Sequence, residues 1–260
     1  MRNMMITIEY DGSAYNGWQI QPNGKSIQEE IIKALRVITK QNISVHGAGR
    51  TDAKVHAYGQ CASFKVDCSI PTEKFSAAIN SQLPEDIVVK ETVEKDPGFH
   101  ARFSAAGKQY EYKICNQKYR SAINRNYKWH VSKPLDLEQM KHAVNLIPGT
   151  HDFSQFMASG SDVKDTVRNI TRAEIVAGKA RGHFSIIFEG NGFLYKMVRM
   201  LVAAIVEIGM HKSTTEELYA RLTQQTNCTN RWTAPPQGLY LNKVYYKGEE
   251  FNLDTPGSMV

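Results

Sequence analysis

His46-Gly47-Ala48-Gly49-Arg50-Thr51-Asp52-Ala53-Lys54-Val55-His56 is the stretch around which this chain is organised. Glycine and alanine dominate it, and one carboxylate stands among basic side chains. Gly47 and Gly49 reach backbone angles closed to other residues, so the chain can turn sharply here and approach a ligand closely. Arg50 and Lys54 lie two positions either side of Asp52. Placed near it in space, they hold it ionised and lower its pKa. A carboxylate kept ionised serves as a nucleophile or base and not as a proton donor. The same residues also describe a surface turn with a weak ion pair, so the surrounding chain has to decide.

Upstream, Met5–Tyr10 alternates as a strand does and ends at the turn pair Asp11-Gly12. Ser26, with Glu29 three residues later, has the spacing of a capping box, and Ile27, Ile31, Leu35 and Ile38 form one apolar helical stripe. Ile43–Val45 reads as a short strand into the loop, and Gln60–Val66 as a strand out of it. Pro71–Leu83 fits a second helix and Ile87–Val93 a strand. The first half therefore reads β-α-β-β-α-β, the order of a ferredoxin-like or RRM-like unit.

Downstream of the Asp96-Pro97-Gly98 punctuation, Lys108–Ile114 alternates as a strand that puts Tyr110 and Tyr112 on one face. Asp136–Leu146 is a helix broken at Pro148-Gly149. His151 beside Asp152 reads as a hydrogen-bonding loop site, because adjacent side chains rarely face each other. Ser159–Asp165 reads as a mobile loop, and Ile170–Val176 with His183–Glu189 as a hairpin. A helix opening at Asn191–Arg199 runs to about Ile208, with Phe193, Met197, Leu201 and Ile205 on one face. Its apolar breadth predicts burial, so Arg199 needs a partner. Thr214–Thr223 is amphipathic, Leu239–Tyr246 is a last strand, and the residues beyond Phe251 read as a tail.

With 260 residues and 42% hydrophobic composition, the chain is long and apolar enough for one large or two moderate globular domains. A formal net charge of +6 fits a polyanionic partner. Cys61, Cys68, Cys115 and Cys228 show neither CxxC nor zinc spacing and read as free thiols of a reducing compartment. The opening residues carry no apolar signal core, and Met197–Met210 is interrupted by Arg199 and Glu207 and is too short for a bilayer. The expectation is a cytoplasmic protein.

Gly49-Arg50-Thr51-Asp52-Ala53 followed by Val55-His56 resembles the signature of the TruA family of tRNA pseudouridine synthases. The likeness continues in YDG…GWQ…Q…SIQEEIIKAL at the start, in Phe99-His100-Ala101-Arg102, in Tyr110, in His151-Asp152-Phe153-Ser154, in Met197-Val198-Arg199 and in the closing Pro236-Gln237-Gly238-Leu239-Tyr240-Leu241 region. It spans Tyr10 to Tyr246 with the motifs in order. It implies two ferredoxin-like α/β halves, 1–105 and 106–260, in one extended, mainly antiparallel sheet with helices packed on one face and the active cleft between the halves. It also implies a homodimer, tRNA as partner, no metal or nucleotide cofactor, and uridines of the anticodon arm, positions 38 to 40, as targets.

By that resemblance Asp52 is the catalytic nucleophile, Tyr110 stacks on the flipped uracil, and Arg199 pairs with Asp52. Arg50 fills the space left by the flipped base or grips a flanking phosphate. Lys25, Lys54, Arg102, Lys108 and Lys196 are further candidates for backbone contacts. Two positions depart from the family. Lys54 stands where it usually has glycine, a place suited to a positive φ that lysine disfavours, and Met200 stands where it often has asparagine. Rival readings are a non-catalytic RNA-binding protein, against which a carboxylate in an RNA cleft argues, a metal-dependent hydrolase, for which clustered ligands are missing, and the same chemistry at another tRNA uridine.

Overall fold

The structure, a computed structural model, describes residues 1–160, 163–225 and 232–248. These form two compact units. Met1–Ala106 builds the first, Gly107–Leu239 lies in the second, and from Tyr240 the chain returns to the first. The expected division at Ala105 thus meets a return crossing: the last strand is counted with the N-terminal unit.

The first unit holds β1 (Arg2–Tyr10), α1 (Ile27–Thr39), β2 (His46–Gly47), β3 (His56–Val66), α2 (Thr72–Asn80) and β4 (Ile87–Lys95). The second holds β5 (Ala105–Cys115), β6 (Trp129–His130), α3 (Leu137–Asn145), β7 (Gly149–Asp152), β8 (Val167–Ala177), β9 (His183–Gly190), α4 (Met197–Gly209) and α5 (Thr215–Leu222). The closing strand is β10 (Leu239–Tyr246).

In the first unit β1 is central, antiparallel to both β3 and β4. Met4, Ile6, Ile8 and Tyr10 alternate into the core, as a period of two requires. One edge of β3 is covered by β1. The other is shared by β2, opposite Ala62 and Ser63, and β10, parallel at His56 and Ala57. The order is the ferredoxin-like one with a very short second strand. Ile43–Val45 is not a strand. Ile43 and Val45 are buried without joining a ladder, and pairing begins only at His46. Gly47 lies against the Trp18 indole, where a Cβ would come within 2.5 Å. The Ser26 hydroxyl caps α1 through the Glu29 N–H at 3.3 Å, while the Glu29 carboxylate pairs with Lys33 at 2.7 Å.

In the second unit β5, β9, β8 and β7 pair antiparallel in that order, with Tyr110 opposite Phe188, and β6 adds parallel to β5. Asp136 caps α3 through the N–H groups of Glu138 and Gln139 at 3.1 Å, and Thr214 caps α5. The expected helix over Asn191–Ile208 starts late. Lys196 takes a left-handed φ of 59° and the helix begins at Met197. Twelve of its 13 residues are buried, so its face is far broader than a single stripe. His151-Asp152, expected in a loop, forms the end of β7. The Ser159–Asp165 loop lies partly outside the described residues, and the tail beyond Phe251 wholly so.

Candidate active site

The Asp52 loop is fixed from several sides within the first unit. Ala48 and Val55 bury its two ends. The Gln60 amide, itself fully buried, donates to the Gly49 carbonyl at 2.9 Å. The Thr51 carbonyl accepts from the Trp18 N–H at 3.1 Å, and its hydroxyl shares a 2.8 Å hydrogen bond with the Tyr10 hydroxyl. Burial pushes the Tyr10 phenol well above its ordinary pKa, so it stays a neutral hydrogen-bonding group.

A tight turn follows the carboxylate. The Val55 N–H donates to the Asp52 carbonyl at 3.2 Å, and the third residue, Lys54, has a φ of 64°. That is the type II pattern, which favours glycine at this place. Lysine therefore takes a backbone angle that favours glycine, and its N–H is held by the Tyr15 carbonyl at 3.2 Å. Gly12 and Gly17 back onto this turn. A Cβ on Gly12 would lie 2.0 Å from the Val55 carbonyl oxygen, and one on Gly17 2.4 Å from that of Thr51. The loop can sit so close only because both positions lack a side chain.

Asp52 is half-buried, whereas Arg50 and Lys54 are exposed. Neither Arg50 nor Lys54 forms an ion pair with a described residue, so the pairing expected from these two neighbours is not made. The turn sets the carboxylate's backbone. His56, buried behind the loop, accepts at Nδ1 from the Gly12 N–H at 3.1 Å and stacks on Tyr240 at 4.7 Å between ring centroids. Its Nδ1 is also 3.1 Å from the Asp11 carboxylate. Tyr10, Gly12, Gly17, His56 and Gln60 are supports that sequence reasoning left without roles. In β3, where nine of eleven residues are buried, the polar His56 and Gln60 were the signal.

The second unit carries Tyr110 and Arg199. Tyr110 is buried on β5 with its ring edge-on to Phe193 at 5.0 Å. Tyr112, on the same face, donates from its hydroxyl to the Pro235 carbonyl at 2.6 Å. Arg199, buried in the first turn of α4, donates from Nε to the Ala234 carbonyl at 2.8 Å, and its own carbonyl accepts from the Ala234 N–H at 3.0 Å. Gly238 packs on the Tyr112 ring, where a Cβ would meet it at 2.7 Å. The Ala234–Gly238 segment is thus the brace of Tyr112 and Arg199.

His151 and Asp152 make no dyad. The imidazole faces the Pro148 carbonyl at 3.3 Å. Asp152 accepts from Thr166 Oγ1 at 2.6 Å and from the Ser154 N–H at 2.9 Å, and these bonds outweigh burial and hold its pKa below the usual value. Cys61, Cys68 and Cys115 are free thiols; Cys228 lies outside the described residues. Among the described residues no cluster of three metal-ligating side chains occurs, and no helix is long and apolar enough to cross a membrane. Of the weaker candidates, Lys25, Lys54 and Arg102 are exposed, while Lys108 and Lys196 are half-buried.

The loop thus presents a half-buried carboxylate between two exposed cations, on a chain of net charge +6. A sequence profile described as tRNA pseudouridine synthase matches residues 6–104 and 143–247. The "tRNA pseudouridine synthase A" of Thermoanaerobacter sp. (strain X514) is 45% identical, covering 95% of this chain and 100% of that protein. That of Ruminiclostridium cellulolyticum is 46% identical at the same coverage, and "tRNA pseudouridine synthase A 2" of Clostridium perfringens 41%. The chain belongs to the tRNA pseudouridine synthase family, isomerases that convert uridine in tRNA to pseudouridine.

Proposed function

We propose that the chain isomerises uridines of the tRNA anticodon arm, at positions 38 to 40, with Asp52 as its nucleophile. The observation that carries this reading is the Asp52 loop. Its backbone is hydrogen-bonded on either side of the carboxylate, while Asp52 itself stays accessible. Preorganisation of this kind keeps a reacting group in place without a reorganisation cost during the reaction.

The chemistry breaks the bond between ribose C1′ and uracil N1, turns the base while it is held, and joins C5 to C1′. Only the C5 proton is exchanged, so atoms and electrons balance without a co-reactant. The target base leaves its stack and enters a pocket. Tyr110 stacks on it, and the Tyr110 hydroxyl helps move the C5 proton. Arg199 acts as the counter-charge of the carboxylate. A cation in the first turn of α4 stands at the positive end of the helix dipole, an arrangement that gains from an anion. Arg50, exposed and without an ion pair to a described residue, holds the space of the flipped base or a flanking phosphate.

The family resemblance supports a homodimer, and the free thiols support the cytoplasm. The test is release of tritium from tRNA transcripts labelled at uracil C5, followed by mapping of the product. Asp52→Asn should abolish release and leave tRNA binding nearly intact; retained turnover would remove Asp52 from the nucleophile's role. A second reading keeps the chemistry and moves the target. It is favoured by Lys54, which adds an exposed cation beside the nucleophile where the family has glycine, and the same map decides between the two.

A further inference from the structure

The second unit ends in a surface that the Asp52 chemistry does not use. Residues 116–133, NQKYRSAINRNYKWHVSK, contain five Lys or Arg and no acidic residue. They fall between the two stretches that the family profile matches. The turn joining β8 to β9 adds Lys179 and Arg181, again with no acid before Glu189.

The two pieces are built into one rim. The Asn116 N–H donates to the Gly182 carbonyl at 2.7 Å, and the Gln117 amide to the Arg181 carbonyl at 3.0 Å. The Asn116 amide donates to the carbonyls of Val131 at 2.8 Å and Lys133 at 2.7 Å, closing the segment on itself. The Lys128 ammonium reaches Nδ1 of His183 at 2.8 Å, and Arg125 steadies its own turn through the Ala122 carbonyl at 2.6 Å.

Lys118, Arg120, Arg125, Lys133, Lys179 and Arg181 are all exposed, and none forms an ion pair with a described residue. Protein surfaces ordinarily intersperse both signs, because like charges repel. Within these two segments the compensation is missing. Tyr119 is 74% exposed, with the Lys118 ammonium 5.3 Å from its ring centre, and Ile123 is 83% exposed. Cations that neutralise phosphates, beside an open aromatic face on which bases stack, form the footprint of an RNA contact.

We propose that this rim, Asn116–Lys133 with the Lys179–Arg181 turn, is a second RNA-binding surface that grips the phosphate backbone of the tRNA away from the target base. Its position fits that task. Cys115 ends β5 five residues beyond Tyr110, on the order of 17 Å along the strand at the usual rise. The rim therefore sets affinity and the reach of the substrate, and leaves the chemical step alone. The inference rests on tRNA being the substrate and is independent of the role given to Asp52.

The experiment uses the full chain carrying Arg120→Ser, Arg125→Ser and Lys179→Ser together. A control removes the same charge elsewhere, through Lys65→Ser, Lys74→Ser and Lys212→Ser. Binding of a whole-tRNA transcript is followed across a salt series, with tritium release and mass in solution measured on the same samples. We expect Kd to rise at least about tenfold and the slope of log affinity against log salt to fall by roughly 0.7–0.9 per lost contact, with kcat unchanged. An unaltered Kd and slope, or an equal loss in the control, would overturn the proposal. So would a variant that falls to a smaller species while each protomer binds as before, since the rim would then join copies of the chain. Absence of release from the unmodified protein would count against the catalytic reading alone.

Discussion

Lys54 holds a φ of 64° that a side-chain-bearing residue adopts at a cost of about 1 kcal/mol. That strain sits one residue beyond Ala53 and two beyond Asp52, in the turn that aims the loop. Lys54→Gly should raise unfolding stability by roughly 0.5–1 kcal/mol, since relief of strain is partly offset by the greater freedom of glycine in the unfolded chain. Lys54→Val should lower it by about 1–2 kcal/mol. Urea denaturation checks both; a valine variant as stable as the parent would show that the turn re-forms without strain. Tyr110→Phe keeps the ring packed on Phe193 and loses the hydroxyl. Its turnover should fall by about 10²–10⁴-fold, the range of a lost general acid or base, with RNA binding retained. A near-parent rate would leave Tyr110 a stacking residue only. At this scale the family's motifs singled out Asp52, Tyr110 and Arg199 as candidates. A positive φ at position 54 was suggested by the glycine of the resembled family, but the lack of ion pairs from Arg50 and Lys54 to described residues was not, because sequence spacing does not say which way a side chain leaves a turn.

Elements in this fold are placed by what they must approach. The segment Gly12–Trp18 comes against the Asp52 turn so closely that Gly17, at a φ of 94°, has no room for a methyl group. Gly17→Ala combines backbone strain with contact to the Thr51 carbonyl. It should cost about 1–3 kcal/mol by urea denaturation and displace the loop enough to depress tritium release more than tRNA binding. Equal losses of both would mean general unfolding instead. The cap at Ser26 was legible: its hydroxyl bonds the Glu29 N–H that the spacing implies. The start of α4 was not, since apolar residues continue upstream of it and only the left-handed Lys196 stops the helix there. Ile43 and Val45 misled for a related reason. Their alternation reports burial, and burial here comes without strand pairing.

Across the whole molecule, protonation opposes folding in two windows. Burial, reinforced by nearby positive charge, lowers the pKa of His100 and His183 from 6.5. As pH falls below 6.5 the unfolded chain takes up these protons first, so stability declines from there down through the folded values. Asp152 is also depressed, from 3.8, so its contribution is present above that pH and is lost as pH falls through its folded value. Urea midpoints should drop between pH 7 and pH 5, and His100→Gln with His183→Gln should flatten that decline; an unchanged slope would assign it to other groups. The β-α-β-β-α-β order of the first unit was readable from periodicity and turn pairs alone. What escaped was the return of β10, because parallel pairing between distant segments leaves no local trace. That return bears on how the protein is made. On the ribosome Met1–Ala106 emerges early, yet the His56–Ala57 edge of β3 must wait for Tyr240 and Leu241. At bacterial or eukaryotic elongation rates the wait is on the order of ten seconds, during which the nascent chain carries an open strand edge available to chaperones or to neighbouring chains.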